Sequence, residues 1–203
     1  MIRQLRNKYF ILRHGESTHQ VEKPNIVYYW PEDKPPAPLT KNGKEQIKKR
    51  AKSLKNKNIS FIFSSDALRV KETASIVAQE LGLKVHHDKR LRDINWGIYQ
   101  GKSTKEAWEH YYHNMEEKFE KAPPQGESWI QLKERMIDFI QDIDQKYDGK
   151  NILIVSHGDP LWLLDSWARG LEKKEALKER KAGCPIKIGD LKKLTEFTEV
   201  EAL

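Results

Sequence analysis

A single cysteine, Cys184, in 203 residues leaves no intrachain disulfide to be made, and without a Cys/His cluster at ligand spacing there is no structural zinc site either. The seven histidines contain no HExxH pattern. His86 and His87 are adjacent and so project differently, while His110 and His113 share a helix face without a third ligand nearby. Neither a metal nor any other cofactor is expected. No apolar run approaches the roughly 20 residues that cross a bilayer, and Met1-Ile2-Arg3-Gln4-Leu5-Arg6 lacks the apolar stretch of a signal peptide. The expectation is a cytoplasmic protein with no membrane partner.

What is present is charge: 37 Lys and Arg against 30 Asp and Glu give a net +7, which attracts anions of many kinds. The lysines are spread over helical surfaces, as in Lys41 to Lys57, and no aromatic-interleaved basic groove or nucleic-acid motif accompanies them. Charge alone does not choose among phosphorylated metabolites, nucleic acid and acidic surfaces, but the missing motifs make nucleic acid the less expected partner, with oligomeric state left open. At 37% hydrophobic residues the chain can bury a core. One domain over residues 1–203 is expected, with cap or lid elements around 22–38 and 104–127.

The run Lys8-Tyr9-Phe10-Ile11-Leu12 reads as a buried strand that delivers Arg13-His14-Gly15 at its C-terminal end. Five of the nine prolines lie between Glu22 and Pro38 beside Tyr28, Tyr29 and Trp30, which reads as a loop packed over something. Those aromatics fit loop packing as well as a substrate platform. Thr40 caps a helix expected to run to about Lys57, Ile59 to Phe63 is a second strand, and Leu68, Ala74, Val77 and Leu81 line a helix stopped by Gly82. A brief strand is expected at Lys84 to His86, and helices over Thr104 to Lys121 and Ser128 to Tyr147. Asn151 to Val155 is another buried strand, discharging Ser156-His157-Gly158-Asp159 before Pro160 opens a helix. A last strand is expected at Ile186 to Ile188.

Strands alternating with helices imply an α/β fold, a three-layer α/β/α arrangement around a mostly parallel sheet. Ligands in such folds lie beyond the carboxyl ends of the strands. His14 and His157 both fall there, so they are expected to meet.

Leu12-Arg13-His14-Gly15-Glu16-Ser17, followed much later by Val155-Ser156-His157-Gly158, resembles the two signatures of the histidine phosphatase superfamily, which includes the cofactor-dependent phosphoglycerate mutases. Ser65 to Ala74 is similar to that family's second-arginine segment, and Arg90-Leu91-Arg92-Asp93 with Gly97 and Gly101 to its acid-bearing loop. Pro38-Leu39-Thr40 with Gly43 and Gln46, and Gly126-Glu127-Ser128 with Arg135, are similar to further landmarks. The six motifs stand in the family's order and span the chain.

The resemblance implies a phosphoglycerate mutase-like fold in which neutral His14 attacks phosphorus and becomes a phosphohistidine. It implies that Arg13, Arg69 and His157 surround the transferring group, with Ser17, Gln20 and Gly158 as further phosphate or substrate contacts. Asp93 falls where the family places its proton donor, often a Glu, and Gln20 where many relatives have Asn. Taken from the residues alone, Asp93 is also compatible with a surface ion pair to Arg90 or Arg92, and Glu16 or Asp159 could serve as the acid instead. Cys184 reads as a small buried hydrophobe.

The expected activity is a metal-independent phosphomonoesterase on small phosphorylated metabolites or nucleotides. The alternatives are a mutase, which returns the phosphoryl group to a second oxygen, and a non-catalytic module that binds a phosphorylated ligand. Phosphoglycerate mutases follow the acid with an Arg-His-Tyr cluster, whereas Asp93 is followed by Ile94-Asn95-Trp96. That difference favours hydrolysis.

Overall fold

The structure, a computed structural model, describes residues 5–22, 25–27, 36–110 and 114–194. Five strands, β1 (Lys8–Arg13), β2 (Ile59–Ser64), β3 (Val85–His87), β4 (Asn151–Ser156) and β5 (Leu191–Lys193), form one sheet in the order β3-β2-β4-β1-β5. All pairings are parallel except that of β5 with β1. Side chains alternate across each strand, so Tyr9, Ile11, Phe63, Ile152 and Ile154 enter one core while Phe10, Leu12, Ile62, Leu153 and Val155 enter the other. Burial on both faces explains why these strands read as unbroken apolar runs.

Helices α2 (Lys41–Leu54) and α3 (Leu68–Leu81) cover the second of these faces through Ile47, Ala51, Leu54, Val70, Ala74 and Val77. Helices α6 (Trp129–Lys146) and α7 (Gly158–Ala168) cover the other through Leu132, Met136, Phe139, Ile143, Leu161 and Leu164. The result is the expected three-layer α/β/α architecture. Its helix ends are set locally. The Thr40 hydroxyl accepts the Gly43 N–H at 2.9 Å, Gly82 takes the left-handed conformation that ends α3, and Ser128 with Gln131 forms a reciprocal capping box.

Two expectations need correction, and one helix is unanticipated. The helix expected over Thr104 to Lys121 is two, α4 (Thr104–His110) and α5 (Met115–Glu120), the second restarted by Asn114, whose side chain accepts the Glu117 N–H at 2.9 Å. Ile186 to Ile188 is not a strand, because its carbonyls serve side chains: Ile186 O accepts from Arg13 and Ile188 O from Gln46. The pairing with β1 is made by Leu191–Lys193 instead. An unanticipated helix, α8 (Lys173–Lys181), buries only Ala176 and Leu177 and so lacks a readable apolar stripe.

A short helix, α1 (Thr18–Glu22), follows β1. Tyr28, Tyr29 and Trp30 lie outside the described residues. The described part of their loop docks at the entry to the other expected cap segment: Val27 N–H donates to Lys102 O, Gly101 N–H to Val27 O and Thr104 N–H to Asn25 O, at 2.8, 2.7 and 2.7 Å. Among the described residues no helix is long and apolar enough to cross a membrane.

Candidate active site

Parallel pairing of β1 with β4 sets Arg13 opposite Ser156 and so brings the next residues, His14 and His157, side by side beyond the carboxyl edge of the sheet. Their rings are 5.4 Å apart between centroids, edge to face, and both are buried. His14 Nδ1 lies 2.8 Å from the carbonyl oxygen of Gly15, an acceptor only, so Nδ1 carries the proton and Nε2 keeps its lone pair. Arg69 Nε donates to that Nε2 at 3.4 Å.

Arg69, 4% exposed, also lies with Nη2 3.0 Å from His157 Nδ1. A guanidinium only donates, so the His157 proton belongs on Nε2, which faces the Ser65 hydroxyl at 3.1 Å. Both histidines are held well below the ordinary imidazole pKa, chiefly by burial and then by the Arg69 charge. They are neutral at physiological pH, and His14 presents an unprotonated Nε2 toward Arg69.

Arg13 donates through Nη1 to Ile186 O at 2.8 Å and contacts Cys184 Sγ at 3.2 Å; its Nε is a buried donor with no acceptor among the described residues. Gly158 makes room for it, since a Cβ there would sit 3.0 Å from the guanidinium carbon. The loop carrying His14 is fixed from α2 and α3. Gly15 N–H donates to Thr73 Oγ1, Thr40 N–H to Glu16 O, and Glu16 N–H to Gln46 Oε1, at 3.1, 2.9 and 3.2 Å.

Asp93 Oδ2 lies 3.9 Å from Arg69 Nη2 and 3.7 Å from His157 Nδ1, with the side chain 40% exposed. The flanking arginines point to other carboxylates: Arg90 to Asp88, Asp138 and Asp142, Arg92 to Asp66. Arg135 holds the backbone of this loop, donating to the carbonyls of Arg90, Arg92 and Asp93 at 2.6, 3.1 and 3.2 Å while paired with Glu127. The rival carboxylates are engaged elsewhere. Glu16 accepts the Thr40 hydroxyl at 2.6 Å, and Asp159 accepts Trp129 Nε1 and Arg180 Nη2 at 2.9 and 3.1 Å.

Ser17 and Gln20 bond each other. Gln20 Oε1 accepts both the Ser17 hydroxyl and its N–H, at 2.5 and 2.9 Å, so together they cap α1. Only the Gln20 amide nitrogen remains as a donor beyond that cap. Ser65, Thr73 and the buried Lys118 were not singled out in the sequence. Lys118 lies in a Glu-Glu-Lys stretch that looks solvated, and the one pointer to it is the number of tryptophans nearby in sequence. Among the described residues no three His, Cys, Asp or Glu side chains gather in a way that could hold a metal ion.

Residues 9–190 match the family model described as histidine phosphatase superfamily (branch 1). The chain belongs to the histidine phosphatase superfamily. Within it, the chain is 31% identical to a curated protein of Escherichia fergusonii named probable phosphoglycerate mutase GpmB, over 87% of this chain and 81% of that one. Among solved structures it is similar to Bacillus stearothermophilus YhfR, with a TM-score of 0.76 and 25% identity over 96% of both chains. A mycobacterial glucosyl-3-phosphoglycerate phosphatase superposes with a TM-score of 0.73 at 20% identity, covering 95% of this chain and 91% of that one, a likeness of fold. The curated relative is thus named as a mutase, and the structure of like fold as a phosphatase.

Proposed function

We propose that this histidine phosphatase superfamily member hydrolyses phosphomonoesters of small metabolites or nucleotides through a phosphohistidine on His14, without a metal. The observation that carries the reading is the tautomer of His14, whose protonated Nδ1 is pinned to Gly15 O while the unprotonated Nε2 faces Arg69. A neutral, oriented imidazole flanked by two arginines is what in-line attack on phosphorus requires.

In the first step Nε2 forms the P–N bond as the P–O ester bond breaks, and Asp93, protonated on substrate arrival, passes its proton to the departing oxygen. Arg13 and Arg69 take the equatorial oxygens, aided by the N-terminus of α7 at Gly158, while His157, whose Nδ1 accepts from Arg69, orients that guanidinium. In the second step Asp93, now a carboxylate, takes a proton from water as that water attacks phosphorus. The P–N bond breaks, inorganic phosphate leaves and His14 is restored. Asp93 is preferred as the acid because Glu16 and Asp159 are engaged by other partners.

A second reading, phosphoryl return to another substrate oxygen, is favoured by the mutase name of the 31%-identical relative. The deciding experiment is a chelator-treated assay with an aryl phosphate and a panel of phosphorylated metabolites. 3-Phosphoglycerate with 2,3-bisphosphoglycerate runs alongside, and His14→Ala is the control. His14-dependent phosphate release is the expected result. Isomerisation without release supports the mutase, and silence on both supports a binding module.

A further inference from the structure

Ser65 directly follows β2 and is fully buried. The backbone holds its hydroxyl in place. Ser65 N–H donates to Val155 O at 3.1 Å, tying the end of β2 to the end of β4, and Ala67 N–H donates to Ser65 Oγ at 3.3 Å. Oγ therefore stands at a fixed position, 3.1 Å from Nε2 of the equally buried His157.

A neutral imidazole carries its proton on one nitrogen or the other, and a buried ring has no water to satisfy a nitrogen left mismatched. Because Ser65 Oγ can accept, Nε2 keeps the proton and Nδ1 is left as the acceptor for Arg69 Nη2 at 3.0 Å. The same guanidinium reaches His14 Nε2 through its own Nε at 3.4 Å. Hydroxyl, imidazole, guanidinium and nucleophile thus form one chain of hydrogen bonds. A proton on Nδ1 would break that chain in two ways. It would set donor against donor at Arg69, and it would turn to Asp93 Oδ2, 3.7 Å from Nδ1, engaging the acid.

We infer that Ser65 is a positioning residue for phosphoryl transfer: its hydroxyl selects the Nε2–H tautomer of His157, which aims Arg69 at the phosphoryl site and leaves Asp93 to the leaving group. Ser65 acts through His157 and exchanges no proton with substrate. The inference rests on the phosphomonoesterase reading for the roles of Arg69 and Asp93.

The test uses full-length native protein and Ser65→Ala, both with isotope-labelled histidine, and reads ring tautomers from two-bond proton–nitrogen correlations. Loss of signals in His14→Ala and His157→Asn assigns the two rings. The native chain is expected to show opposite tautomers, Nδ1–H at His14 and Nε2–H at His157. Ser65→Ala strands a buried N–H, a cost that moves the His157 population toward Nδ1–H by about tenfold to a hundredfold while His14 keeps its tautomer. On an aryl phosphate kcat/KM falls about tenfold, and Ser65→Thr, which keeps the hydroxyl, restores both readouts.

A double-mutant cycle separates positioning from packing. The amide of His157→Asn reaches toward the place of Nδ1 but not that of Nε2, so in this background Ser65→Ala costs less than about twofold in rate. Nδ1–H on His157 in the native chain, an unchanged tautomer in Ser65→Ala, or an equal rate loss in both backgrounds overturns the inference. If Ser65→Ala does not fold, Ser65→Cys, similar in volume and only a weak acceptor, replaces it with the same expected direction. If the native chain releases no phosphate from the aryl ester while the tautomer still switches, the hydrolysis reading fails and the control of His157 by Ser65 stands.

Discussion

Arg69 Nε lies 3.4 Å from His14 Nε2, and its Nη2 lies 3.0 Å from His157 Nδ1, so one guanidinium adds to burial in keeping both imidazoles neutral. A cation donating into the nucleophile's lone pair prevents protonation there. It then becomes a ligand for the phosphoryl oxygens when the nitrogen attacks.

This relationship fixes a pH dependence. Because both histidines stay neutral well below the usual 6.5, the acid limb of kcat/KM, after allowing for substrate ionisation, falls below that value. Stability follows the same sign. Below about pH 6.5 the unfolded chain takes up protons at His14 and His157 that the folded chain does not, so unfolding is favoured as pH drops and the contribution is flat above. Thermal melts of the native chain and of His157→Asn across this interval check it; the variant shows the smaller acid slope.

Asp93→Asn is expected to slow alkyl phosphates by about a hundredfold or more, and aryl phosphates, whose leaving oxygen needs little protonation, much less. Steady-state rates on matched alkyl and aryl esters distinguish this from a loss of binding. Equal losses on both move the acid role to another carboxylate.

Gly43 abuts the nucleophile loop so closely that a Cβ would fall 2.0 Å from Glu16 O, a backbone atom that cannot swing aside. Gly43→Ala is therefore expected to cost about 1–3 kcal/mol or more. It should also displace the His14 loop, so that activity falls further than the melting temperature alone explains. Denaturant titration and turnover on one preparation check both.

Lys118 carries a stability cost of its own. Its pKa of about 8 against 10.5 for an ordinary lysine means the unfolded chain holds a proton between those values that the folded chain releases, so stability rises with pH across that window. The full rise is about 3 kcal/mol, an order-of-magnitude figure for a shift of this size. Lys118→Met is expected to flatten the rise and to be the more stable protein at neutral pH. Denaturant midpoints measured at several alkaline pH values settle it.

The sheet and the meeting of the two histidines were legible because the apolar runs of β1 and β4 are short, unbroken and each followed by His-Gly. Parallel pairing does the rest. Residues 186–188 misled because an apolar alternation there serves side-chain partners, Arg13 and Gln46, through its carbonyls, and no periodicity reports that. Helix α8 and the break at Asn114 escaped for lack of an apolar stripe and of a proline or glycine. The motifs announced Asp93 but not Arg135 as the clamp on its backbone. Lys118 was invisible because its burial depends on Trp96, Trp108 and Trp129 converging from separate segments.

The central claim is a covalent phosphohistidine at His14, and the most direct measurement is base-quenched turnover with a radiolabelled phosphomonoester, followed by mapping of the labelled residue. The account predicts acid-labile label on His14 during turnover, lost on chase and absent from His14→Ala. Turnover with no label on the protein, or label on a residue other than His14, contradicts it.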